Sequence, residues 1–185
     1  ITGAWFRIEQ SNVVVSYPDF TSAQVGKVRS EGIEVEASGS LPHGFNLKLA
    51  YSRQRVKNVE DVDPAKVGRS LATVGRGGIT ANLEWAPKSG PAAGLTIGGT
   101  VRHVDPVYAD VYFDGVARYT PAYTLFDALI RYDLGKASAR LDGVTVAVNA
   151  TNLFDKTHLT SCYANYGWCW YGNRRTVQAT IGYRW

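Results

Sequence analysis

"RRTVQATIGYRW", residues Arg174 to Trp185, alternates strictly. Val177, Ala179, Ile181, Tyr183 and Trp185 fall on one side, and Thr176, Gln178, Thr180, Gly182 and Arg184 fall on the other. Successive side chains of a strand point to opposite faces, so this period of two reads as a strand with one apolar and one polar face.

Seven more segments read the same way. Gly3 to Val15 places Ala4, Phe6 and Ile8 on one face and Trp5, Arg7 and Glu9 on the other. Next come Ile33, Val35 and Ala37 against Gly32, Glu34 and Glu36, then Phe45, Leu47, Leu49 and Tyr51 against Asn46, Lys48 and Ser52. The fourth and fifth segments oppose Ile79, Ala81, Leu83 and Trp85 to Thr80, Asn82 and Glu84, and Leu95, Ile97, Gly99 and Val101 to Thr96, Thr100 and Arg102. The sixth sets Phe126, Ala128, Ile130 and Tyr132 against Asp127, Arg131 and Asp133, and the seventh sets Val144, Val146 and Val148 against Thr145 and Asn149. The spacing predicts eight strands.

Composition agrees with an all-β chain: 45% apolar residues, 19 Gly, 11 Tyr, 5 Trp and no Met. The net charge of +4 is mild and its basic residues are scattered among acidic ones, which argues against a nucleic-acid binder. No run of about 18 apolar residues encodes a membrane-spanning helix, and the first residues lack the pattern of a signal peptide. Membrane barrels need neither, because they cross on segments of about ten alternating residues. Two cysteines, Cys162 and Cys169, are compatible with an oxidising compartment.

A soluble sandwich would alternate too, so the connections decide. "SGSLPHG", "APKSGPAAG" and "GKASARLDG" are short, while "SYPDFTSAQVG", "NVEDVDPAKVGRS", "DPVYADVYFDGVARYTP" and "DKTHLTSCYANYGWCWYGN" are long, in strict alternation. All long connections therefore lie at one end of the sheet, as in outer-membrane barrels with brief periplasmic turns. Tyr51, Trp85, Tyr132, Tyr183 and Trp185 sit near strand ends on the apolar face, where an interfacial girdle places amphipathic rings. A last strand that closes the barrel at the periplasmic rim accounts for a chain ending on Trp185.

At "ATNLFDK" (Ala150 to Lys156) and "SCYANYGWCWYGNRRTVQATIGYRW" (Ser161 to Trp185) the sequence resembles the C-terminal end of TonB-dependent siderophore receptors, especially the ferrichrome-type, ferric hydroxamate branch. "VRSEGIEVEASG" (Val28 to Gly39) and "YTLFDALIRYDLG" (Tyr123 to Gly135) extend the likeness over nearly the whole chain, loops 57–73 and 105–120 excepted. Those loops are the ones expected to set ligand preference. The resemblance implies an antiparallel transmembrane β-barrel of the Gram-negative outer membrane, 22-stranded and plugged by an N-terminal domain, of which residues 1–185 supply about eight C-terminal strands and no plug. It implies a ferric siderophore as transported ligand, with no cofactor of the protein's own, lipid as surroundings, and the TonB-ExbB-ExbD complex as a partner engaged through the absent plug.

The resemblance also pairs Cys162 with Cys169. Closing a loop of eight residues would be worth about 2 to 3 kcal/mol by the chain-entropy relation. A metal site combining these cysteines with His158 matches no zinc spacing. Tyr163 holds the position of an aromatic ligand contact in ferrichrome-type receptors. Tyr166 and Trp168 share its loop, with Trp170 and Tyr171, while Tyr108, Tyr112, Phe113 and Tyr119 crowd the loop between strands five and six. Such rings offer large apolar area with a polar tip, suited to a bulky iron chelate. Glu34, Glu36, Arg102, Asp127, Arg131 and Asp133 are expected to line the inner wall, paired or solvated, with plug contact the alternative. No nucleophile constellation is present: His43, His103 and His158 lack serine or acidic partners in a recognisable setting, and "GRGG" (Gly75 to Gly78) lacks the Lys-Ser/Thr of a phosphate loop. The expectation is no enzyme. The alternatives are a complete eight-stranded barrel with a structural or adhesive role, and a related receptor for haem or cobalamin.

Overall fold

The computed structural model describes residues 1–16, 21–111 and 115–185. In chain order the strands are β1 (Thr2–Ser16), β2 (Ser22–Leu41), β3 (Phe45–Glu60), β4 (Gly77–Trp85), β5 (Leu95–Val104), β6 (Tyr108–Val111), β7 (Ala117–Tyr119), β8 (Tyr123–Asp133), β9 (Val144–Thr151), β10 (Leu159–Tyr163), β11 (Trp168–Tyr171) and β12 (Thr176–Tyr183). Eight of them build one antiparallel sheet in the order β1-β2-β3-β4-β5-β8-β9-β12, a meander in which each strand lies beside its sequence neighbour. The eight alternating segments are these eight strands. The remaining four form two hairpins, β6-β7 and β10-β11, set into the long connections.

The register puts apolar beside apolar across every ladder. Val35 faces Tyr51, Tyr51 faces Ile79, Ile97 faces Ile130, Ile130 faces Val148 and Val148 faces Ala179. Paired residues share a face, so one surface of the sheet is a continuous apolar band. A one-residue slip would send the whole set to the other side, which is why the register is well specified. In β1 the band continues through Trp5, paired with Ile33. Phe6 therefore points to the inner face, where its ring lies over Gly32; a side chain at Gly32 would collide with that ring.

No large side chain is fully buried among the described residues, while Ile33, Leu49, Leu83, Ile97, Ile130, Val148 and Ile181 are all exposed on the band. Water would not tolerate an apolar surface eight strands wide, so lipid is its solvent. Of the rings expected in a girdle, Trp85, Tyr132, Tyr183 and Trp185 lie at the short-turn rim, where Phe45 joins them, whereas Tyr51 lies in the middle of β3 because that strand runs on to Glu60. Phe45 and Trp85 rings lie 6.4 Å apart, Tyr183 and Trp185 6.2 Å apart, and Trp85 Nε1 donates to the His43 carbonyl at 3.1 Å. The inner face is polar. Arg102 forks onto Asp127 at 2.9 and 3.1 Å, Asn82 donates to the Thr100 hydroxyl at 2.9 Å, and Arg131 reaches Thr96 at 3.4 Å. Arg102 and Asp127 are thus paired with each other, whereas Glu34 and Glu36 form no ion pair among the described residues.

The connections follow the expected alternation with one correction. Within "SYPDFTSAQVG", Ser16 and residues 22–26 are strand rather than loop, because the β1-β2 ladder runs on to Ser16 and Ser22; residues 17–20 lie outside the described residues. At 20 residues β2 extends about 66 Å, far beyond the 9 to 11 residues a membrane strand needs, so its first half projects past the band. Continued pairing satisfies those backbone groups as well as a loop in water would.

The outer and inner faces should respond differently to charge. Leu49→Arg, near the middle of the band, is expected to cost about 2 to 4 kcal/mol, and Lys48→Ala on the inner face less than about 0.5 kcal/mol. Denaturant unfolding of the receptor barrel from lipid vesicles measures both.

Candidate ligand site at the loop end

The long connections 61–76, 105–122 and 152–175 gather at one end of the sheet, and what little core the described residues have lies there. Val107, Tyr108, Ala109, Thr120, Asn152, His158 and Cys162 are buried.

The base of the last connection is tied by two side chains of the "ATNLFDK" motif. Asn152, 3% exposed, adopts a left-handed backbone (φ 50°), a conformation that asparagine tolerates better than most residues. Its Nδ2 donates to the carbonyls of Lys156 at 2.9 Å and Asn173 at 3.0 Å, while its Oδ1 accepts from the Lys156 amide at 2.9 Å. Asp155 accepts a fork from Arg174, 2.8 and 2.6 Å, and the Arg175 amide at 2.9 Å. The Arg174 guanidinium and then the Arg175 amide hold the Asp155 carboxyl well below the usual carboxylate range. Gly172 completes the base, since any side chain there would strike the His158 ring.

On this base stands the β10-β11 hairpin, in which Cys162 faces Cys169 with Cα atoms 4.1 Å apart and the two form a disulfide. Their neighbours Tyr163 and Trp168 also face each other. The Tyr163 ring is held edge-on by Tyr166 at 6.3 Å and Trp170 at 5.8 Å, and Tyr166 stacks on Trp168 at 5.2 Å. The ring is therefore positioned before any ligand arrives.

Tyr108 belongs to β6, next to a bulge at Asp110, whose φ of 91° is rare for a residue with a side chain. Its ring packs on Tyr119 at 5.5 Å, and its hydroxyl donates to Asp110 Oδ1 at 3.4 Å. Burial pushes the Tyr108 phenol upward, and the Asp110 charge adds to the effect. Connection 61–76 folds back along β3, with Leu71 donating to Val56 at 3.1 Å, and reaches β6 through Thr73 donating to the Tyr108 carbonyl at 2.9 Å.

These loops enclose a cleft of about 580 Å³ between β1, β2, connection 61–76, β6 and β10. Tyr108 and Tyr163 both line it, so two of the six sequence-predicted ligand residues meet in one cavity. Tyr166 and Trp168 do not line it; Tyr166 packs edge-on against Tyr163 and stacks on Trp168. Tyr112 and Phe113 lie outside the described residues. Sequence reasoning missed Lys66, Arg69 and Asp110, which bring charge to the cleft; the one signal available was that they occur in the two loops set apart from the family pattern. The cleft offers rings, hydroxyls and both signs of charge, and no cluster of His, Cys, Asp or Glu able to hold a metal occurs among the described residues. That suits a large polar ligand bound by contact rather than by coordination.

An antiparallel sheet with a lipid-facing band, an aromatic rim, a polar inner wall and a built-up loop end defines a segment of an outer-membrane β-barrel. Residues 1–153 match the family model described as TonB dependent receptor-like, beta-barrel, and the chain belongs to that family of outer-membrane transporters, which are not enzymes. It is 30% identical over 194 residues to the ferrichrome outer membrane transporter/phage receptor of Escherichia coli K12, covering 100% of this chain and 24% of that protein. It is 32% identical over 164 residues to the ferrioxamine receptor of Yersinia enterocolitica, covering 85% and 21%. The siderophore receptor PiuA from Acinetobacter baumannii has the same fold over 98% of this chain and 25% of its own, with a TM-score of 0.72 at 24% identity. The chain thus spans about a quarter of the length of the relatives it matches.

Removing the disulfide by Cys162→Ser with Cys169→Ser should lower hairpin stability by about 2 to 3 kcal/mol, read as faster hydrogen exchange of amides 159–171. Asn152→Ala leaves two carbonyls and an amide unpartnered and should cost about 1 to 3 kcal/mol at the same amides. The Asp155 clamp has the sign of a depressed carboxylate: its contribution is fully present above the unfolded value near 3.8 and is lost as pH falls through the lower folded value. Protection factors at the loop base, corrected for the intrinsic pH dependence of amide exchange, should therefore be flat from neutrality to about pH 4 and fall only below it, and Asp155→Asn should abolish that acid limb.

Proposed function

We propose that this chain is the C-terminal part of the barrel of a TonB-dependent receptor that binds a ferric siderophore of the hydroxamate class and carries it into the periplasm. The observation that carries this reading is the loop-end cleft lined by Tyr108 and by Tyr163, which the adjoining disulfide and the ring contacts hold in place. Ordering that ring in advance reduces the entropy lost on binding. The relatives named for ferrichrome and ferrioxamine support the hydroxamate assignment, because both chelates are hydroxamates. Iron stays inside its chelate, so the protein needs rings and polar tips rather than metal ligands.

The sheet is open: β1 pairs only with β2 and β12 only with β9 among the described residues. That favours a part of a wide barrel over a closed eight-stranded one. Plug and further strands would precede Ile1, and TonB-ExbB-ExbD would act through that plug.

In the receptor carrying this chain, Tyr163→Ala should weaken ferric hydroxamate binding about tenfold, the loss of about 1.4 kcal/mol of ring contact, with the amount of folded receptor unchanged. Competition among ferrichrome, haem and cobalamin reads the class of ligand. Preferential displacement by haem or cobalamin, or unchanged affinity of the variant, overturns the assignment. The mass of the mature outer-membrane polypeptide tests the part-barrel reading, which a product of only this size would overturn.

A further inference from the structure

The charges that line the loop-end cleft divide by whether they already have partners. Its acids are engaged. Glu60 lies 3.8 Å from Lys27, Asp61 Oδ1 accepts the Asp63 amide at 2.9 Å, and Asp110 Oδ1 accepts the Val111 amide at 2.8 Å and the Tyr108 hydroxyl at 3.4 Å. Lys27 is engaged too, since it also reaches Glu9 at 3.4 Å. The remaining cations of the lining, Lys66 and Arg69, have no acidic partner within 4.0 Å among the described residues.

The backbone that carries these two cations is nevertheless fixed. Asp63 accepts the Ala65 amide at 2.9 Å and so caps the short helical turn Pro64–Lys66, and the Arg69 amide donates to the Lys66 carbonyl at 3.1 Å. Beyond the turn the chain pairs with the end of β3: Gly68 donates to the Asn58 carbonyl at 2.8 Å, and Asn58 donates to the Arg69 carbonyl at 3.1 Å. Arg69 stands close enough to Tyr108 for its charge to draw that phenol downward, against the upward push of burial. A ring and an unpaired guanidinium thus share one cavity wall.

We propose that Arg69, with Lys66 as a second cation, makes this cleft select ferric hydroxamates that carry a free carboxylate on their periphery. A guanidinium fork matches the two oxygens of a carboxylate, and a backbone already held reduces the ordering cost of the contact. Lys27, Lys66 and Arg69 balance Glu60, Asp61 and Asp110, so the lining is formally neutral. That suits one carboxylate on an otherwise uncharged body better than a highly charged anion, and a ferric ion held by three hydroxamates is such a body. The inference rests on the reading of this cleft as the site of a ferric hydroxamate.

The test uses the whole receptor carrying this chain and three chelates with one iron core: ferrioxamine B, whose free end is an ammonium, its N-acetyl derivative, which is neutral there, and its N-succinyl derivative, which ends in a carboxylate. Quenching of tryptophan fluorescence reads each affinity. The succinyl form should bind about tenfold more tightly than the acetyl form, and added salt should shrink the ratio. Arg69→Gln should bring the ratio to within about twofold of one with the amount of folded receptor unchanged, and Arg69→Lys, which keeps the charge and loses the fork, should fall between. Equal binding of the acetyl and succinyl forms by the parent receptor overturns the proposal, as does a ratio that Arg69→Gln leaves intact. Weakening of all three chelates by one factor in Arg69→Gln would make the role structural and overturn it as well. So would displacement of the succinyl chelate by an equal concentration of free succinate, which would mark a site for small anions. Failure of all three to bind the parent receptor would overturn the hydroxamate reading itself, and this inference with it.

Discussion

Inside a bilayer no water is available to a bare amide or carbonyl, so every backbone group of a spanning strand must find its partner on a neighbouring strand. That constraint organises the molecule. It forces the unbroken ladders from β1 to β12, and with them a register that aligns Val35, Tyr51, Ile79 and the other band residues on one face. It also explains why the interior can be polar. Once the backbone is satisfied by neighbours, the inner side chains are free to pair among themselves, as Arg102 and Asp127 do.

Beyond the band the constraint relaxes, and the chain uses the freedom in two ways. β1, β2 and β3 carry their ladder onward into water, with charged residues in place of aliphatic ones. The other connections abandon the main sheet and make a small core of their own around Tyr108, Cys162 and His158. This second region is held by different forces from the sheet: a disulfide, an asparagine amide bridging two loop ends, and a carboxylate gripped by Arg174. The rings of the cleft are rigid because these crosslinks act at the loop base and beside Tyr163 itself.

The candidate site was legible in kind but not in membership. Tyr163 and Tyr108 could be named from loop aromatics and resemblance, and they do meet in the cleft. Tyr166 and Trp168 were equally plausible on composition, yet they stack on each other and line no part of the cleft, because Tyr166 falls in the tight turn that joins the two hairpin strands. Arg69 and Asp110 were invisible. Their presence depends on connection 61–76 turning back along β3 and on a bulge in β6, and neither is encoded by periodicity. The clamps of Asn152 and Asp155 lay within a motif recognisable as a pattern whose physical purpose only the hydrogen bonds disclose.

By itself the sequence determined the eight strands, their two faces, the end at which the loops gather and the family, because period two and connection length are local properties written residue by residue. Only the tertiary structure decided how far β1 and β2 run past the membrane, which face of β1 meets lipid, and which loop side chains share a cavity. Those depend on register and on contacts between segments distant in the chain, such as Thr73 with Tyr108 or Arg55 with Glu31, and no local pattern records a pairing before the two strands have met.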